Sequence, residues 1–421
     1  MKILFVCQYF YPEVFRGNDI AFHWAEEGHE VHVVCGVPNY PKGKFFEGYG
    51  LFKRRHEEIV QDVLGNKKFK GRVMVTRLPL IPRGNNKIML MLNYFSYLMV
   101  AWVYMLFHAL THKYDRVFVQ QLSPVMMSAP GVLYKRLRKT PLYTWVLDLW
   151  PESLTAAGGI SNKWVLRFFR HYVESEYRHS DKILISSKSF ERSVLEYGDY
   201  TEKIVYFPQW ADGSDNGELR VESLELVTKV ESSGVLNNGF KLMFAGAVGE
   251  AHGFECTMEA ARLTKDHKEI KWVIVGDGRR LDWVRSFVAE NGLEETVLTL
   301  GRFPAETMPW FFGQADVMLV TLSDDPLFRL YAPAKISSYM AAGKPIVAVL
   351  NGEGAEVIRD ADCGWTLAAG DAEGFARLAV ELSQMDASVL EEKGRNALKY
   401  YNAHYVKEDC LSCLDGIMRL D

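Results

Sequence analysis

Residues 329–349 read RLYAPAKISSYMAAGKPIVAV. Pro333 opens and Gly343 closes a helical stretch, and Ile346–Val349 follows as an aliphatic run with the length of a buried strand. A similar run, DVMLVTL, precedes it at 316–322. Strand, helix and strand with short connections form a βαβ unit, whose two strands lie parallel in one sheet. Open sheets of this kind bind ligands beyond the carboxyl ends of their strands. Lys335 stands at that edge, among small residues, where the helix begins. An ammonium beside helix-start amides suits a diphosphate, and Arg329 offers a second cation upstream. The plain alternative is a solvated surface lysine.

The alternation continues outward. FKLMFAG, KWVIVGDG and TVLTLG between 240 and 301 are further strands with helical patterns between them. A second series begins at the N-terminus with KILFVC and EVHVVC, then RVMVTRL, YDRVFVQ, PLYTWVLD and DKILISS. Apolar strands between helices imply parallel sheets covered on both faces. The segment between the two series is rich in Gly, Ser, Asn and Asp at its ends, with a helix inside. The expected organisation is a domain over 1–206, a linker over 207–239, a second domain over 240–395 and C-terminal helices over 396–421. The class is α/β, with two Rossmann-like domains.

Charge divides along the same boundary. Residues 1–206 carry 28 Lys/Arg against 19 Asp/Glu, +9, and the remainder 21 against 34, −13, which sum to the net −4. A basic half suggests an anionic partner for the first domain. Of six cysteines, Cys410 and Cys413 form a lone C-x-x-C, which lacks the second pair a zinc site needs. Free thiols suit a reducing compartment. MKILFVCQYFYPE lacks a cleavage site and reads as a first strand, not a signal peptide.

Residues 88–110, IMLMLNYFSYLMVAWVYMLFHAL, hold no formal charge apart from His108. Their length suits a membrane span. Strand patterns of one sheet flank them on both sides, which argues against spanning. A core helix and a helix lying in a membrane interface remain, and the aromatic content favours the second. Tyr94, Phe95, Tyr97, Trp102 and Tyr104 suit headgroups, and the basic stretches at 52–56 and 66–72 suit anionic lipid.

Four loops carry candidate chemistry. Gly17 precedes a helix expected to be capped by Asn18 or Asp19, where it opens the amides to a ligand or simply turns the chain. MFAGAVGEAHGFE places Gly246, Gly249 and His252 between strand and helix, a loop suited to an anion. Gly276 begins a G-x-G, but Leu281 occupies the third position of a dinucleotide fingerprint, so NAD is disfavoured. In GEGAEVI, Glu353 is a helix-cap candidate and Glu356 a ligand-facing one. DLWPES at 148–153 follows a strand and supplies Asp148 and Glu152 as candidate catalytic carboxylates, with Trp150 as a flat face for a sugar. The alternative there is helix capping by Asp148 or Ser153 with Trp150 in the core.

Taken in order, EEGHEVHVVCGVPNYPKGK, DLWPES, FAGAVGEAHG, VGDG and YAPAKISSYMAAGKPIVA resemble the retaining GT-B glycosyltransferases of family 4, over the whole chain. The branch resembled most builds bacterial O-antigen and capsule repeats, with N-acetylfucosamine-type aminosugar transferases the nearest likeness. The resemblance implies two Rossmann-like domains facing across a cleft. A UDP-sugar binds the C-terminal domain, with no divalent metal and no separate cofactor. The acceptor is an undecaprenyl-diphosphate-linked sugar on the N-terminal domain, at the inner face of the plasma membrane, with no nucleic-acid partner. By position, Gly17 and the loop from Gly246 to Gly253 border the diphosphate, Phe303 lies near the base, Lys335 near the phosphates, and Glu356 in the loop beyond the next strand. The last helix crosses back to the first domain. Two departures stand out. The family's Glu-x7-Glu positions are Leu330 and Ser338, and its Arg and Lys in the first loop of the second domain are Ala247 and His252. Phosphate charge then falls on Lys335 and Arg329. Two other readings are a UDP-sugar 2-epimerase of the same fold and a non-catalytic partner of a membrane assembly.

Overall fold

In the computed structural model, described residues are all of 1–421 except 42, 62–67, 85, 157–161, 212–220 and 421. They form two compact units, Met1–Phe207 with Leu411–Asp421, and Pro208–Cys410. Lys67 and most of the loop at the start of the expected linker lie outside the described residues.

The first unit holds strands β1 (Lys2–Val6), β2 (Glu30–Gly36), β3 (His56–Gln61), β4 (Lys68–Leu78), β5 (Arg116–Gln121), β6 (Leu142–Val146), β7 (Lys182–Ile185) and β8 (Ile204–Tyr206). Their order in the sheet is β3-β4-β2-β1-β5-β6-β7-β8. Only β3 runs antiparallel. Its helices are α1 (Arg16–Glu26), α2 (Lys87–Thr111), α3 (Ala129–Arg138), α4 (Glu152–Ala156), α5 (Lys163–His179) and α6 (Phe190–Leu195).

The second unit has strands β9 (Phe240–Ala245), β10 (Ile270–Val275), β11 (Val297–Gly301), β12 (Val317–Thr321), β13 (Ile346–Val349) and β14 (Gly364–Leu367). All pair in parallel, in the order β11-β10-β9-β12-β13-β14. The inner strands β9, β10, β12 and β13 bury both faces. Met243 and Ala245 of β9 enter one apolar cluster, and Leu242 and Phe244 enter the other. That double burial explains why these strands read as unbroken apolar runs. The helices here are α7 (Val221–Ser233), α8 (Phe254–Leu263), α9 (Leu281–Asn291), α10 (Met308–Gln314), α11 (Lys335–Ala341), α12 (Glu353–Asp360), α13 (Ala372–Ser383) and α14 (Ala387–His404). The last helix, α15 (Lys407–Met418), straddles the boundary of the two units.

Three boundaries differ from the sequence reading. Helix α7, inside the expected linker, belongs to the second unit, where Ser223 Oγ donates to Glu306 Oε1 at 2.9 Å. Helix α14 also stays there, packed on α11, so the segment that joins the first unit begins at Leu411 and not near 396. Helix α1 begins at Arg16 with Phe15 as its N-cap, so Gly17 lies inside it. The Asn18 side chain serves the preceding loop instead, accepting from Tyr11 N at 3.0 Å and donating to Glu13 O at 2.7 Å. A Cβ on Gly17 would stand 2.2 Å from Gln120 Oε1 and 3.0 Å from Phe5 Cζ, so glycine there lets helix and strand pack closely.

Helix α2 is two-faced. Asn93, Tyr94, Tyr97, Ala101, Met105, His108 and Ala109 are buried against the sheet. The expectation that Tyr94 and Tyr97 reach headgroups fails, because Tyr97 Oη donates to Cys7 O at 2.8 Å in the core and Tyr94 is only 8% exposed. The opposite face is apolar and open: Ile88, Met91, Leu92, Phe95, Met99, Trp102, Val103, Phe107 and Leu110 are all exposed.

Candidate active site

At the carboxyl ends of β9 and β10, two loops are locked backbone to backbone. Gly246 N donates to Val275 O at 2.9 Å, and Val248 N to Asp277 O at 3.0 Å. A Cβ on Gly276 would lie 1.8 Å from Gly246 O, and Gly276 has φ +151°. Its amide is taken by Gly301 O at 2.7 Å. The second glycine loop is therefore a packing device that holds the first in place, not a donor to a ligand.

Lys335 opens α11 and folds back over this loop. Its Nζ lies 3.6 Å from the centroid of the Phe244 ring, and a Cβ on Gly246 would meet its Cε at 2.6 Å. The Nζ is buried and, among the described residues, has no hydrogen-bond partner. The ring face returns part of the lost hydration. Burial still pushes the ammonium pKa down to about 7. A cation in this state gains most from an incoming anion.

His252 completes the corner. It ends a 3-10 turn, Glu250–His252, and its ring stands edge-on to Phe244 at 5.5 Å. Burial first, and then the Lys335 charge, push its pKa down to about 3, so the imidazole is neutral. Its Nδ1 accepts from Gly249 N at 3.4 Å, which places the ring proton on Nε2.

The other expected donor-site residues are more dispersed. Arg329 pairs with Asp324 at 2.8 Å, about half exposed, and Asn351 donates to the same carboxylate at 3.0 Å. Its charge is thus already answered. Glu353 is buried at the first turn of α12, where Gly352 and not Glu353 is the N-cap, and Glu356 faces solvent one turn on. Phe303 is half-buried against Phe311, with ring centroids 4.6 Å apart. Among the described residues, no group of three or more His, Cys, Asp or Glu is placed to hold a metal.

In the first unit, the Asp148 carboxylate follows β6 and accepts from Ser123 Oγ, from Ser153 Oγ, and from Trp150 Nε1 at 3.3 Å. Its carbonyl accepts from Gln121 Nε2 at 2.8 Å. It acts as a clamp on its own loop. Trp150 does not offer a sugar platform: it is 6% exposed and packs edge-on to Phe169 at 5.2 Å. Glu152, half-buried at the start of α4, has its carboxyl pKa raised, mainly by burial and further by Glu196 and Asp148.

A buried carboxylate in the loop after β1 escaped the sequence reading. Glu13 is 2% exposed, and its Oε1 accepts from Asn39 N at 2.7 Å and Tyr40 N at 2.6 Å. Burial raises its pKa to about 7, against the pull of those amides and Arg77. In sequence it is one glutamate in a turn after a strand, QYFYPE, with no spacing to mark it.

Residues 17–210 match the glycosyl transferase 4-like domain, and residues 239–385 match glycosyl transferases group 1. The chain is 28% identical over 284 residues to the probable glycosyltransferase WbjE of Pseudomonas aeruginosa, covering 66% of this chain and 69% of that one. It is 23% identical over 334 residues to the putative colanic acid biosynthesis glycosyl transferase WcaI of Escherichia coli K12, covering 76% and 75%. Its fold matches the crystal structure of HepE from Anabaena in complex with UDP, with TM-score 0.66, 14% identity and full coverage of both chains. With both domains present on that fold, the chain is a GT-B glycosyltransferase built from a glycosyl transferase 4-like domain and a glycosyl transferases group 1 domain.

Proposed function

We propose that the protein moves a sugar from a UDP-sugar to a polyprenyl-diphosphate-linked sugar, with retention and without a divalent metal, in the assembly of a bacterial surface polysaccharide. The observation that carries this reading is the buried, unpartnered ammonium of Lys335 in the group 1 domain. HepE, which shares the fold, binds UDP, and WcaI is named for colanic acid biosynthesis. The donor sugar, an N-acetylated deoxy-hexosamine, rests on the resemblance to aminosugar transferases.

The chemistry follows from charge. As the bond from the anomeric carbon to the diphosphate breaks, negative charge grows on the departing β-phosphate. Lys335 and the Nε2 proton of His252 neutralise it. The acceptor hydroxyl forms its bond to the same face of the sugar, and its proton passes to the departing phosphate oxygen. A preorganised donor of this kind contributes on the order of 100-fold or more to turnover. Gly246, Gly249, Gly276, Phe303, Arg329, Glu353 and Glu356 shape or border the donor site in this reading. Asp148 and Glu152 border the acceptor.

The acceptor's lipid sets the location. The open apolar face of α2 lies in the inner leaflet of the plasma membrane, and exposed Lys53, Arg54, Lys68 and Lys70 meet anionic headgroups. The test is incubation with a panel of UDP-sugars and a lipid-linked acceptor. Acceptor-dependent UDP release supports the transferase. Interconversion of the UDP-sugar without acceptor would make the protein an epimerase instead, and neither reaction would leave a non-catalytic partner.

A further inference from the structure

An arginine without a carboxylate sits among aromatic rings at the carboxyl edge of the first sheet. Arg83 follows β4 and lies three residues before Asn86, the N-cap of α2. Its guanidinium lies over the Tyr40 ring at 5.1 Å and donates to Tyr9 Oη at 3.4 Å. Tyr9, Phe15 and Tyr40 form a triangle of rings with centroids 5.2 to 5.5 Å apart. Tyr9 is the buried floor, Phe15 is half-buried, and Tyr40 is the exposed rim. Tyr94 of α2 closes the group, near enough to Arg83 and Tyr9 to feel both. The same tyrosine feels Asp148, so this cluster and the DLWPES loop are neighbours on one sheet edge.

The arrangement is held from behind. Arg83 N donates to Asn39 Oδ1 at 2.8 Å, and Asn39 N and Tyr40 N both donate to Glu13 Oε1. Asn93 of α2 donates to Ile81 O at 2.7 Å and accepts from Gln8 Nε2 at 2.8 Å. Glu13 is thus a positioning residue for the ring and the arginine alike. Among the described residues no carboxylate pairs with Arg83, whereas buried Arg77 has Glu57 at 2.7 Å.

We infer that Arg83 is the diphosphate-binding group for the acceptor, with Phe15 and Tyr40 as the platform for its sugar. This assignment rests on the transferase reading above. A guanidinium with donors to spare is the side chain best shaped for a phosphate, and aromatic faces suit the apolar face of a sugar ring. Immediately beyond Arg83, the exposed face of α2 begins with Ile88, Met91, Leu92 and Phe95. A lipid tail leaving the diphosphate meets that face first. One molecule, sugar then diphosphate then hydrocarbon, matches the order of aromatic, cationic and apolar surface.

The test compares two acceptors that share a sugar, a farnesyl-diphosphate-linked N-acetylhexosamine and the octyl glycoside of that hexosamine. Arg83→Gln should raise KM for the diphosphate acceptor on the order of 10- to 100-fold, the usual worth of a hydrogen bond to a charged group. KM for the octyl glycoside and for the UDP-sugar should not change. Arg83→Lys should restore part of the loss, since a point charge replaces the fork. Inorganic diphosphate should inhibit the unmodified protein competitively against the lipid acceptor more than it inhibits Arg83→Gln. Equal loss on both acceptors would overturn the assignment and make Arg83 structural. Loss of binding to phosphatidylglycerol vesicles with unchanged acceptor KM would also overturn it, in favour of a phospholipid contact. If Arg83→Gln does not fold, Tyr40→Leu serves instead: it should weaken both acceptors, and no effect on either would overturn the platform. No turnover by the unmodified protein on any lipid-linked acceptor would overturn the transferase reading and this assignment with it, whereas normal turnover by Arg83→Gln would overturn the assignment alone.

Discussion

A buried ammonium without a hydrogen-bond partner is unfavourable, and Lys335 retains one over the ring of Phe244. Its Ala variant should stay folded and lose on the order of 100-fold in turnover. Near-normal turnover would remove Lys335 from the mechanism. The same burial gives a pH signature. The free pKa is about 7 and a bound diphosphate favours the charged form, so binding above pH 7 takes up a proton. Donor affinity should therefore be flat below pH 7 and weaken by about tenfold per pH unit above it, until the pKa of the complex is reached. Calorimetry of UDP binding in buffers of different ionisation enthalpy reads the proton directly. An unchanged affinity from pH 6 to 9 would contradict it. Asp148 behaves differently. Its carboxylate is a hub for Ser123, Ser153 and Trp150, so Asp148→Ala should cost about 1.5–3 kcal/mol of stability by urea unfolding. Lys335 was legible in the sequence because a strand end and a helix start flank it. Arg83 and Glu13 were not, because their partners are distant in the chain: Arg83 meets Tyr9 across 74 residues and Glu13 meets Asn39 across 26.

At the level of elements, the apolar strands were visible because both their faces are buried. The three that the sequence did not announce, β3, β8 and β14, are short and half-exposed, with burial shared between strand and solvent. Periodicity cannot separate such segments from loops. Helix α2 was visible as an apolar stretch, but composition alone did not divide its faces, since both are apolar. The sheet decides which half is core. Membrane contact is testable on the other half. Met99→Glu, Trp102→Glu and Phe107→Glu together change residues that are 60%, 43% and 64% exposed, so the fold should persist. Binding to phosphatidylglycerol vesicles should be lost in flotation, since burying such side chains is worth roughly 1.5–3 kcal/mol each. High salt should weaken binding of the unmodified protein without abolishing it, because only the basic residues are screened. Unchanged flotation of the triple variant would assign the face to something other than a bilayer.

For the whole molecule, two domains and their approximate boundary followed from the restart of the strand–helix alternation. Where the chain returns was implied by the family resemblance and not by the residues themselves, because nothing in α14 or α15 distinguishes one sheet's neighbourhood from another's. The structure supplies the specific contacts. In the first unit, the Asp415 carboxylate accepts from Trp24 Nε1 at 2.8 Å and pairs with His23 Nε2 at 2.7 Å, both on α1. Arg116 Nε donates to Met418 O at 2.8 Å. Leu411, Leu414, Met418 and Leu420 are buried there. The first unit is thus closed by the far end of the chain, and its stability should depend on that end while the second unit's does not. Removing residues 411–421 should lower the first unit's unfolding free energy by several kcal/mol, taking roughly 1.5–3 kcal/mol for each buried aliphatic side chain. Asp415→Ala should give a smaller loss of about 1.5–3 kcal/mol, the worth of hydrogen bonds to a charged group. Urea unfolding followed by hydrogen exchange resolves the two units. Loss of protection in β1, β2 and β5 with β9, β10 and β12 unchanged is the expected pattern. Equal loss in both sheets would mean that the C-terminal segment stabilises the two units as one cooperative body.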